Sequence, residues 1–532
     1  MQFEKPPIVW SIAGNDSGGG AGLSADQRAA TAFGVHLCPV VAAITAQSSV
    51  GVAHIEPTSS EVLEAQLAAL AEDMPPAVIK TGMLGNASNV MTVARWVDRL
   101  RERGTVALVI DPVLGSTTGA SFANESMVQA YREWLLPRAT LITPNESEAR
   151  RLAADGGNAS SALTPTTESI PTIARNLRAL GAAAVAVTCG DTSSLSGQSV
   201  DWVDTPHAAG WLALPRVDTA NNHGTGCTFA TSAAAAMALG FVAADALVLA
   251  KMATTHALLH GYAAGQGAGP VASRTGFANI PELMPQMSWG ERFEFRDDIP
   301  AVSASQRELD LYAIVDSADR VVQVVAAGIK TVQLRVKEPP APDDAWWSAT
   351  REAIQKSVAT CRSAGALLIV NDHWRLAHEL GASAVHVGQE DLLALGDAGR
   401  AELASTGMRV GVSSHSLWEL ARARSLNPLY VACGPVWPTL TKAMPWRPQG
   451  LDNLAWWVQM AGVPVVAIGG ILEPGQLTLA AQSGASGVCV VRGLGDDPSK
   501  TVPAWQEALV KGRAEPSLPI PSLPHPSLDT TS

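Results

Sequence analysis

Two α/β domains in series are what the sequence predicts: a mainly parallel sheet covered by helices, then an eight-stranded βα barrel. Three observations carry this expectation. The chain has 532 residues, too many for one hydrophobic core. Over the first 270 residues, short β-rich apolar runs alternate with helical patterns, the signature of a parallel sheet with helices on its faces. The second half contains eight short β-like runs, and eight βα units in roughly two hundred residues is what a TIM barrel needs.

In chain order, the runs of the first half are "IVWSIAG", "VVAAIT", "AVIKTG", "VALVID", "ATLIT" and "AAAVAVT", with helical stretches such as "SEVLEAQLAALAED" between them. Next comes "ANNHGTGCTFATSAAAAMALG", from Ala220 to Gly240. Gly224 and Gly226 allow positive φ and a close backbone approach to a ligand, and the Ala-rich run after them forms helix readily. The first N–H groups of that helix lack intrahelical partners and carry the positive end of its dipole, so the turn is an anion site suited to phosphate. A cysteine placed there, Cys227, is expected to have a lowered pKa; the structural alternative is a small residue at a tight contact. These elements place the first domain at residues 1–272. Residues 273–305, with Pro and mixed charge, read as a connector. The barrel follows at 306–512, with the runs "LYAIV", "TVQLR", "LLIVN", "AVHVG", "RVGVS", "LYVACG", "PVVAIG" and "GVCVV". Their consecutive apolar residues fit strands covered on both faces. The Pro/Ser-rich end, 513–532, has little to bury and is expected to be disordered.

Bulk properties exclude several function classes. Net charge is −12 with no basic block, which argues against nucleic-acid binding. The six cysteines are scattered without a C-x-x-C, so neither a zinc site nor a disulfide framework is expected, and a reducing cytoplasmic setting fits. Pro6 and Pro7 interrupt any signal-like apolar stretch, and the Ala-rich run 228–250 contains Thr, Ser and Asp, so no membrane span is expected. A homo-oligomer is left open.

In a TIM barrel the reactive side chains lie just past the C-terminal ends of the strands. Here polar residues occur there run after run: Arg335 and Lys337; Asn371 and Asp372; Gln389 and Asp391; Ser413; Thr439, Thr441 and Lys442; Gly469 and Gly470; Arg492. Two carboxylates with an Asn suit Mg²⁺, which bridges phosphate oxygens; two Lys and an Arg suit pyrophosphate. Singly, each could be a solvated loop residue. As an ordered set they point to a phosphorylated substrate.

The stretches "VQLRVKE", "VNDHWRLAHELGASAVHVGQED", "GVSSHS", "CGPVWPTLTK" and "VVAIGGI" closely resemble the thiamine-phosphate synthase family over most of 309–495. The resemblance implies a TIM barrel that joins hydroxymethylpyrimidine diphosphate to thiazole phosphate with release of pyrophosphate. It implies that Asp372 and Asp391 hold Mg²⁺, and that Arg335, Lys337, Asn371, Ser413 and Lys442 hold the diphosphate. Arg335 and Lys442 act on the departing group, Gln333 lies on the substrate, and Thr439, Thr441 and Gly470 face the thiazole phosphate. The family's usual Ser or Thr after "VV" is replaced here by Arg492, which either pairs with that phosphate or is an arginine turned to solvent.

In the first half, "SIAGNDSGGGAGLSAD", "AITAQSSVGV", "KTGMLG", "VIDPVLGS", "LITPNESEA" and "HGTGCTFATS" resemble hydroxymethylpyrimidine and hydroxymethylpyrimidine-phosphate kinases over about 8–272. These are ribokinase-like three-layer α/β/α enzymes that use ATP and Mg²⁺. The resemblance implies Cys227 as the base for the substrate hydroxyl, supported by His223, with Gly224 and Gly226 forming the pocket for the transferring phosphoryl group. Asp111, Asn145 and Glu148 would handle metal and phosphate. Asp26, Gln47, Met83 and Val113 would bind the pyrimidine, Asp26 and Gln47 through hydrogen bonds. Where the family often has Lys-Gly-Gly, this chain reads Thr188-Cys189-Gly190, so Thr188 and Gly190 are expected at the ATP phosphates without the lysine. The product of the first reaction is the substrate of the second, which makes a bifunctional thiamine-biosynthesis enzyme acting on small molecules the leading expectation. The alternatives are a sensor that kept its pockets, and a pyridoxal-type kinase fused to a synthase barrel.

Overall fold

The computed structural model describes residues 5–115, 124–154, 169–190, 197–292, 295, 309–439 and 445–528. Contacts divide the chain into two compact units, Met1–Phe293 and Glu294–Ser532. No helix among the described residues is long and apolar enough to cross a membrane.

The first unit is built on β1 (Ile8–Asp16), β2 (His36–Ser48), β3 (Gly51–Pro57), β4 (Val78–Thr81), β5 (Ala107–Ile110), β6 (Leu141–Ile142), β7 (Val185–Thr188), β8 (Gln198–Asp204), β9 (Ala209–Pro215) and β10 (Gln286–Met287). They form one sheet in the order β10-β9-β8-β7-β6-β5-β4-β1-β2-β3. The run from β2 to β7 is parallel, and antiparallel strands complete both edges. The sequence runs foresaw the parallel centre, because strands buried on both faces read as continuous apolar stretches. They missed β3, β8, β9 and β10. Two of them mix polar with apolar residues, "GVAHIEP" and "QSVDWVD", β10 has only two residues, and antiparallel strands need no helical crossover to mark them. The helix Thr225–Ala238 is buried on nearly every side from Thr228 to Ala236, which explains its mostly small residues and lack of charge: a helix without a polar face belongs in the interior.

Strand order reverses between β1 and β4, the two neighbours from which the chain departs in opposite directions. In an open α/β sheet this switch point leaves a crevice beyond the carboxyl ends of the strands, where ligands bind.

The second unit is a closed barrel of β11 (Asp310–Val315), β12 (Thr331–Leu334), β13 (Leu367–Asn371), β14 (Ala384–Val387), β15 (Arg409–Ser414), β16 (Tyr430–Cys433), β17 (Val465–Ala467) and β18 (Gly487–Val490). Every neighbouring pair is parallel, and β18 closes onto β11. All eight expected runs are strands.

Two boundaries read from sequence need correction. The start of the 273–305 connector is part of the first unit. Phe277, Leu283 and Met287 are buried, and β10 adds the tenth strand by pairing with β9; these apolar residues are spaced among prolines and turns, which hid them. The 513–532 tail, expected to be disordered, is ordered through Leu528. Ser527 and Leu528 are buried, and the Arg447 N–H donates to the Ser527 carbonyl at 2.9 Å. Composition alone misjudged the tail because proline removes donors that would otherwise need partners, so an extended Pro-rich segment can dock with few bonds.

A chain divided between residues 293 and 308 is therefore expected to give two soluble proteins that each unfold cooperatively, since each half then keeps a complete sheet and core. A cut at 285 would strip β10 and leave the β9 edge uncovered. Denaturant unfolding of separately expressed halves checks this; an insoluble half from the 293–308 division would contradict it.

Candidate active sites

The crevice at the switch point is a cavity of about 360 Å³. Three strand ends supply its floor: Asp16 from β1, Lys80 from β4, and Asp111 just after β5. Gly224, Gly226 and Cys227 reach it from the turn that begins the buried helix. Gly224 has φ 86°, and a Cβ there would lie 2.3 Å from the Gly20 carbonyl oxygen, so only glycine fits.

Of the residues expected here, Gln47, Met83, Val113 and His223 line the cavity, as do Asn145, Glu148, Thr188 and Gly190. Val113 has φ 34°, a conformation β-branched residues rarely hold outside functional sites. Gln47 Nε2 is 3.1 Å from His223 Nε2, which is also 3.1 Å from Asp16 Oδ2. Asp16 accepts from the N–H groups of Gly18, Gly20 and Ala21, so the Gly-rich loop and His223 are tied to one carboxylate. Burial works against ionisation of Asp16, but these hydrogen bonds and His223 win and hold its pKa below the usual value.

Asp26 does not meet the expectation of pyrimidine binding. It is fully buried, and both its oxygens are occupied. Lys80 Nζ lies 2.9 and 3.0 Å from them, Ser11 Oγ donates at 2.6 Å, and Thr231 Oγ1 donates at 2.7 Å. The residue that faces the cavity is Lys80, which sequence reasoning passed over although it stands inside the quoted "KTGMLG". Its Nζ is also 3.7 Å from Asp111 Oδ2. Burial pulls the ammonium down, yet Asp26, Cys227 and Asp111 together outweigh it and keep Lys80 charged.

Cys227 reverses the expected shift. Burial is the largest influence and pushes its thiol up to about 12, reinforced by Asp26 and Asp111 and opposed by Lys80 and the Gly22 N–H. The helix N-terminus is present, but desolvation and two carboxylates exceed it.

Asp111 is pushed up to about 6, first by burial, with Asp26 adding to the rise and Lys80 opposing it. Glu148 is pushed up to about 7 by burial and then by Asp111. Asp111 Oδ2 is buried without a hydrogen-bond partner among the described residues. Two buried carboxylates that disfavour each other's charge, one with an unbonded oxygen, fit a hard divalent cation with water and phosphate completing its shell. Glu148 is also fixed locally: it forms a capping box with Asn145 and accepts from the Leu114 N–H.

Asn145 bridges to Thr188 across neighbouring strands. No lysine stands at 188, but Lys251 lines the same cavity. Its Nζ is 2.8 Å from Asp201 and 2.9 Å from Ser199, and Asp201 is the cross-strand neighbour of Thr188. Lys251 stands on the helix Ala243–Leu259, not on β7.

In the barrel, the predicted residues gather at one mouth. Arg335 follows β12, Asn371 ends β13, and Asp391 lies in the first turn of the helix Gln389–Ala394 after β14. Asp372 has φ 62°, and the Asn371 amide donates to its carboxylate. Burial raises the pKa of Asp372, Asp391 raises it further, and His373 and Arg335 pull it back. This carboxylate pair again fits a divalent cation sharing its shell with phosphate. Among the described residues no cluster of three or more His, Cys, Asp or Glu side chains suits a metal, so water and substrate oxygens would supply the remaining ligands. Lys337 is exposed, Thr439 is half-buried, and Arg492 is exposed at the start of the turn after β18. Thr441 and Lys442 lie outside the described residues.

Gly470 has φ 76°, and a Cβ there would sit 2.6 Å from the Trp437 carbonyl oxygen, which binds the turn after β17 closely to the loop after β16. Gln333 points into the barrel and donates to the Tyr312 hydroxyl at 2.7 Å. That hydroxyl is 2.7 Å from Tyr430, Tyr430 is 2.9 Å from His386 Nδ1, and His386 Nε2 is 3.0 Å from Ser413 Oγ. Burial, then Arg335 and His415, push His386 down to about 4, so it is neutral and joins Ser413 to the core as a hydrogen-bond link. Sequence reasoning named the two ends, Gln333 and Ser413, and missed the middle. Its signal was polar atoms inside apolar runs, the Tyr of "LYAIV" and the His of "AVHVG".

With this geometry in hand, comparison with known proteins gives two family matches. The phosphomethylpyrimidine kinase model matches residues 16–272 and the thiamine monophosphate synthase model matches 310–494. A chloroplastic thiamine biosynthetic bifunctional enzyme of Arabidopsis thaliana is 34% identical over 480 residues, covering 88% of this chain and 85% of that protein. A thiamine-phosphate synthase of Rhizobium etli is 42% identical over 206 residues, covering 38% of this chain and 96% of that protein. A hydroxymethylpyrimidine/phosphomethylpyrimidine kinase of Mycobacterium bovis is 39% identical over 267 residues, covering 50% and 94%.

Proposed function

The chain belongs to the family of thiamine biosynthetic bifunctional enzymes, a phosphomethylpyrimidine kinase continued by a thiamine monophosphate synthase, and we propose that the crevice of the first unit and the barrel mouth of the second carry the two reactions through the residues described above. The first half phosphorylates hydroxymethylpyrimidine and its phosphate, with ATP as phosphoryl donor. The second half condenses the resulting diphosphate with thiazole phosphate. The observation that carries the assignment of the first site is Cys227 beside Lys80 at a helix N-terminus, facing Asp111 and Glu148 across one cavity.

In the kinase half, the pyrimidine lies against Met83 and Val113, with Gln47 and His223 at its polar edge. The N–H groups around Gly224 and Gly226 meet the transferring phosphoryl oxygens. Lys251, with Asn145 and Thr188, faces the donor phosphates. The thiolate form of Cys227 takes the hydroxyl proton, and Lys80 stabilises the negative charge near it. Mg²⁺, held by Asp111 and Glu148, would neutralise phosphate charge.

In the synthase half, the aminopyrimidine ring expels its diphosphate: the C–O bond breaks, its electrons leave with pyrophosphate, and a ring-stabilised methylene cation remains. The thiazole nitrogen then donates its lone pair to form the C–N bond. No protein nucleophile is needed, so the side chains work by position and charge. Arg335, Asn371, Ser413 and Lys442 hold the departing diphosphate, with Lys337 at the rim. Asp372 and Asp391 would hold Mg²⁺, whose charge offsets that of the diphosphate. Thr439 and the Gly470 turn face the thiazole phosphate, and Thr441 is assigned to it by the family resemblance alone.

Purified protein given hydroxymethylpyrimidine phosphate, ATP, Mg²⁺ and thiazole phosphate should form thiamine phosphate. If none forms, and none forms when the diphosphate is supplied directly, the reading fails.

Arg492 provides a finer test. It is exposed at the start of the turn after β18, the strand paired with β17, and barrels commonly bind phosphate at the loops after their last two strands. Arg492→Ala should weaken use of thiazole phosphate by about 1.5–3 kcal/mol, the value of a charge-assisted hydrogen bond, and change use of the diphosphate much less. Steady-state kinetics with each substrate varied in turn would separate this from a surface charge, which would leave the thiazole-phosphate KM and kcat/KM unchanged.

A further inference from the structure

The Pro-rich tail docks on the barrel through a built recognition site. One amide, Asn453, satisfies both backbone groups of His525: its Nδ2 donates to the His525 carbonyl at 3.0 Å, and the His525 N–H donates to its Oδ1 at 2.8 Å. The His525 ring Nε2 lies 2.8 Å from the Gln449 carbonyl. Asn453 and Gln449 are both completely buried and joined to each other at 2.9 Å. At its other end the tail is held where Gln482 Nε2 donates to the Pro516 carbonyl at 2.7 Å. Buried amides spent on an extended segment are costly to leave unpaired, so this seating is specific.

What the tail grips is the connection between β16 and the helix Gly450–Met460, and that connection touches the synthase mouth on two sides. The Gln449 side chain donates to the His415 carbonyl at 2.7 Å, two residues after Ser413. The Gln449 N–H donates to the Pro435 carbonyl at 2.7 Å, the Gly450 N–H to the Val436 carbonyl at 3.0 Å, and the Trp437 N–H to the Gly469 carbonyl at 3.1 Å. From His525 the bonded path therefore runs through Gln449 to the Ser413 side of the mouth, and through Pro435–Trp437 to the Gly469-Gly470 turn.

We propose that residues 516–528 are a positioning strap for the synthase reaction: by fixing Gln449 they set the spacing between the Ser413 side of the mouth, which meets the diphosphate, and the Gly470 turn, which meets the thiazole phosphate. The idea rests on the synthase reading given above. His525 and Asn453 touch no substrate; they act through Gln449. A misplacement of this kind degrades the alignment of two reactants, where a shift of about 1 Å can cost up to roughly a hundredfold.

The test uses the full chain, a chain ending at Glu515, and a full-length His525→Pro variant, which removes the N–H given to Asn453 and the ring given to Gln449. Condensation of supplied hydroxymethylpyrimidine diphosphate with thiazole phosphate is measured, with phosphorylation by the same molecule as the internal reference. The shortened chain should lose about tenfold to a hundredfold in condensation kcat/KM, His525→Pro should lose part of that, and phosphorylation should be unchanged in both. A synthetic peptide of residues 516–532 added to the shortened chain should restore condensation saturably. Unchanged condensation in the shortened chain overturns the proposal. So does a loss that the peptide cannot restore, because the tail would then serve folding of the barrel and not the spacing of its mouth. An intact chain that makes no thiamine phosphate would instead overturn the synthase reading itself.

Discussion

Cys227→Ala is expected to cut phosphorylation of hydroxymethylpyrimidine by about 10²–10⁴-fold, the usual contribution of a general base, and to leave condensation intact when the diphosphate is supplied. The acceptor in this step is an alcohol, whose proton must leave as the O–P bond forms. In the proposed mechanism Cys227, at the helix N-terminus, takes it, and its thiol is held at about 12 chiefly by burial. Only a small fraction is thiolate at neutral pH. Each unit of pH gained should therefore raise that fraction about tenfold well below this pKa, and kcat/KM for the alcohol should climb on the alkaline side of neutrality. The second phosphorylation has a different acceptor. A phosphate monoester has a second pKa of about 6, so its oxygen is already ionised and needs no base. The variant should lose much less on the phosphate than on the alcohol. Equal losses on both acceptors would mean that Cys227 contributes space or phosphate contact instead of proton transfer, and normal turnover of the alcohol would remove it from the mechanism. Kinetics with the two acceptors, across pH, supply the check.

The reach of the sequence here follows from what each residue type can be used for. The eight barrel strands and the parallel centre of the first sheet were legible because burial on two faces writes continuous apolar runs. The glycine turn and the helix after it were legible from Gly224, Gly226 and the Ala-rich run, whereas the environment of Cys227 was not, since the expected lowering of its pKa is reversed by burial. Asp26 shows the limit. Its place in a Gly-rich motif suggested ligand contact, but a carboxylate and a lysine 54 positions apart in the chain meet inside the fold at 2.9 Å, and no local pattern announces that pairing. Lys251 is the same case: it follows "LVLA" inside an apolar helix, where a lone lysine looks misplaced until Asp201 is seen across from it. The tail was misread for another reason. Composition reports what a segment could bury by itself, whereas Asn453 and Gln449 supply partners from elsewhere in the barrel.

Lys80→Met is expected to damage both stability and phosphorylation in the first half, in separable ways. Lys80 is fully buried between Asp26 and Asp111, 2.9 Å from the first and 3.7 Å from the second. Removing one partner of a buried pair leaves charge uncompensated, and the typical cost is about 3–5 kcal/mol. The pH dependence of that cost has a definite sign. Lys80 opposes the rise of the Asp111 pKa, which is already near 6 against an ordinary 3.8, so without the ammonium it rises further. The folded protein then binds more protons than the unfolded chain between the two values, so stability falls as pH rises through that window. Urea unfolding of residues 1–293 should show a larger deficit at pH 7 than at pH 5. Adding Asp26→Asn should recover much of the stability, because the buried carboxylate goes with its partner while Ser11 and Thr231 keep a polar neighbour. Phosphorylation of the alcohol should stay low in the double variant. Lys80 is the cation that opposes the rise of the Cys227 thiol, and without it the thiolate is disfavoured further and the alkaline climb of kcat/KM moves to higher pH. If restoring stability also restores turnover, Lys80 is only a buried counter-ion. If stability returns and turnover does not, Lys80 acts on the reaction through Cys227.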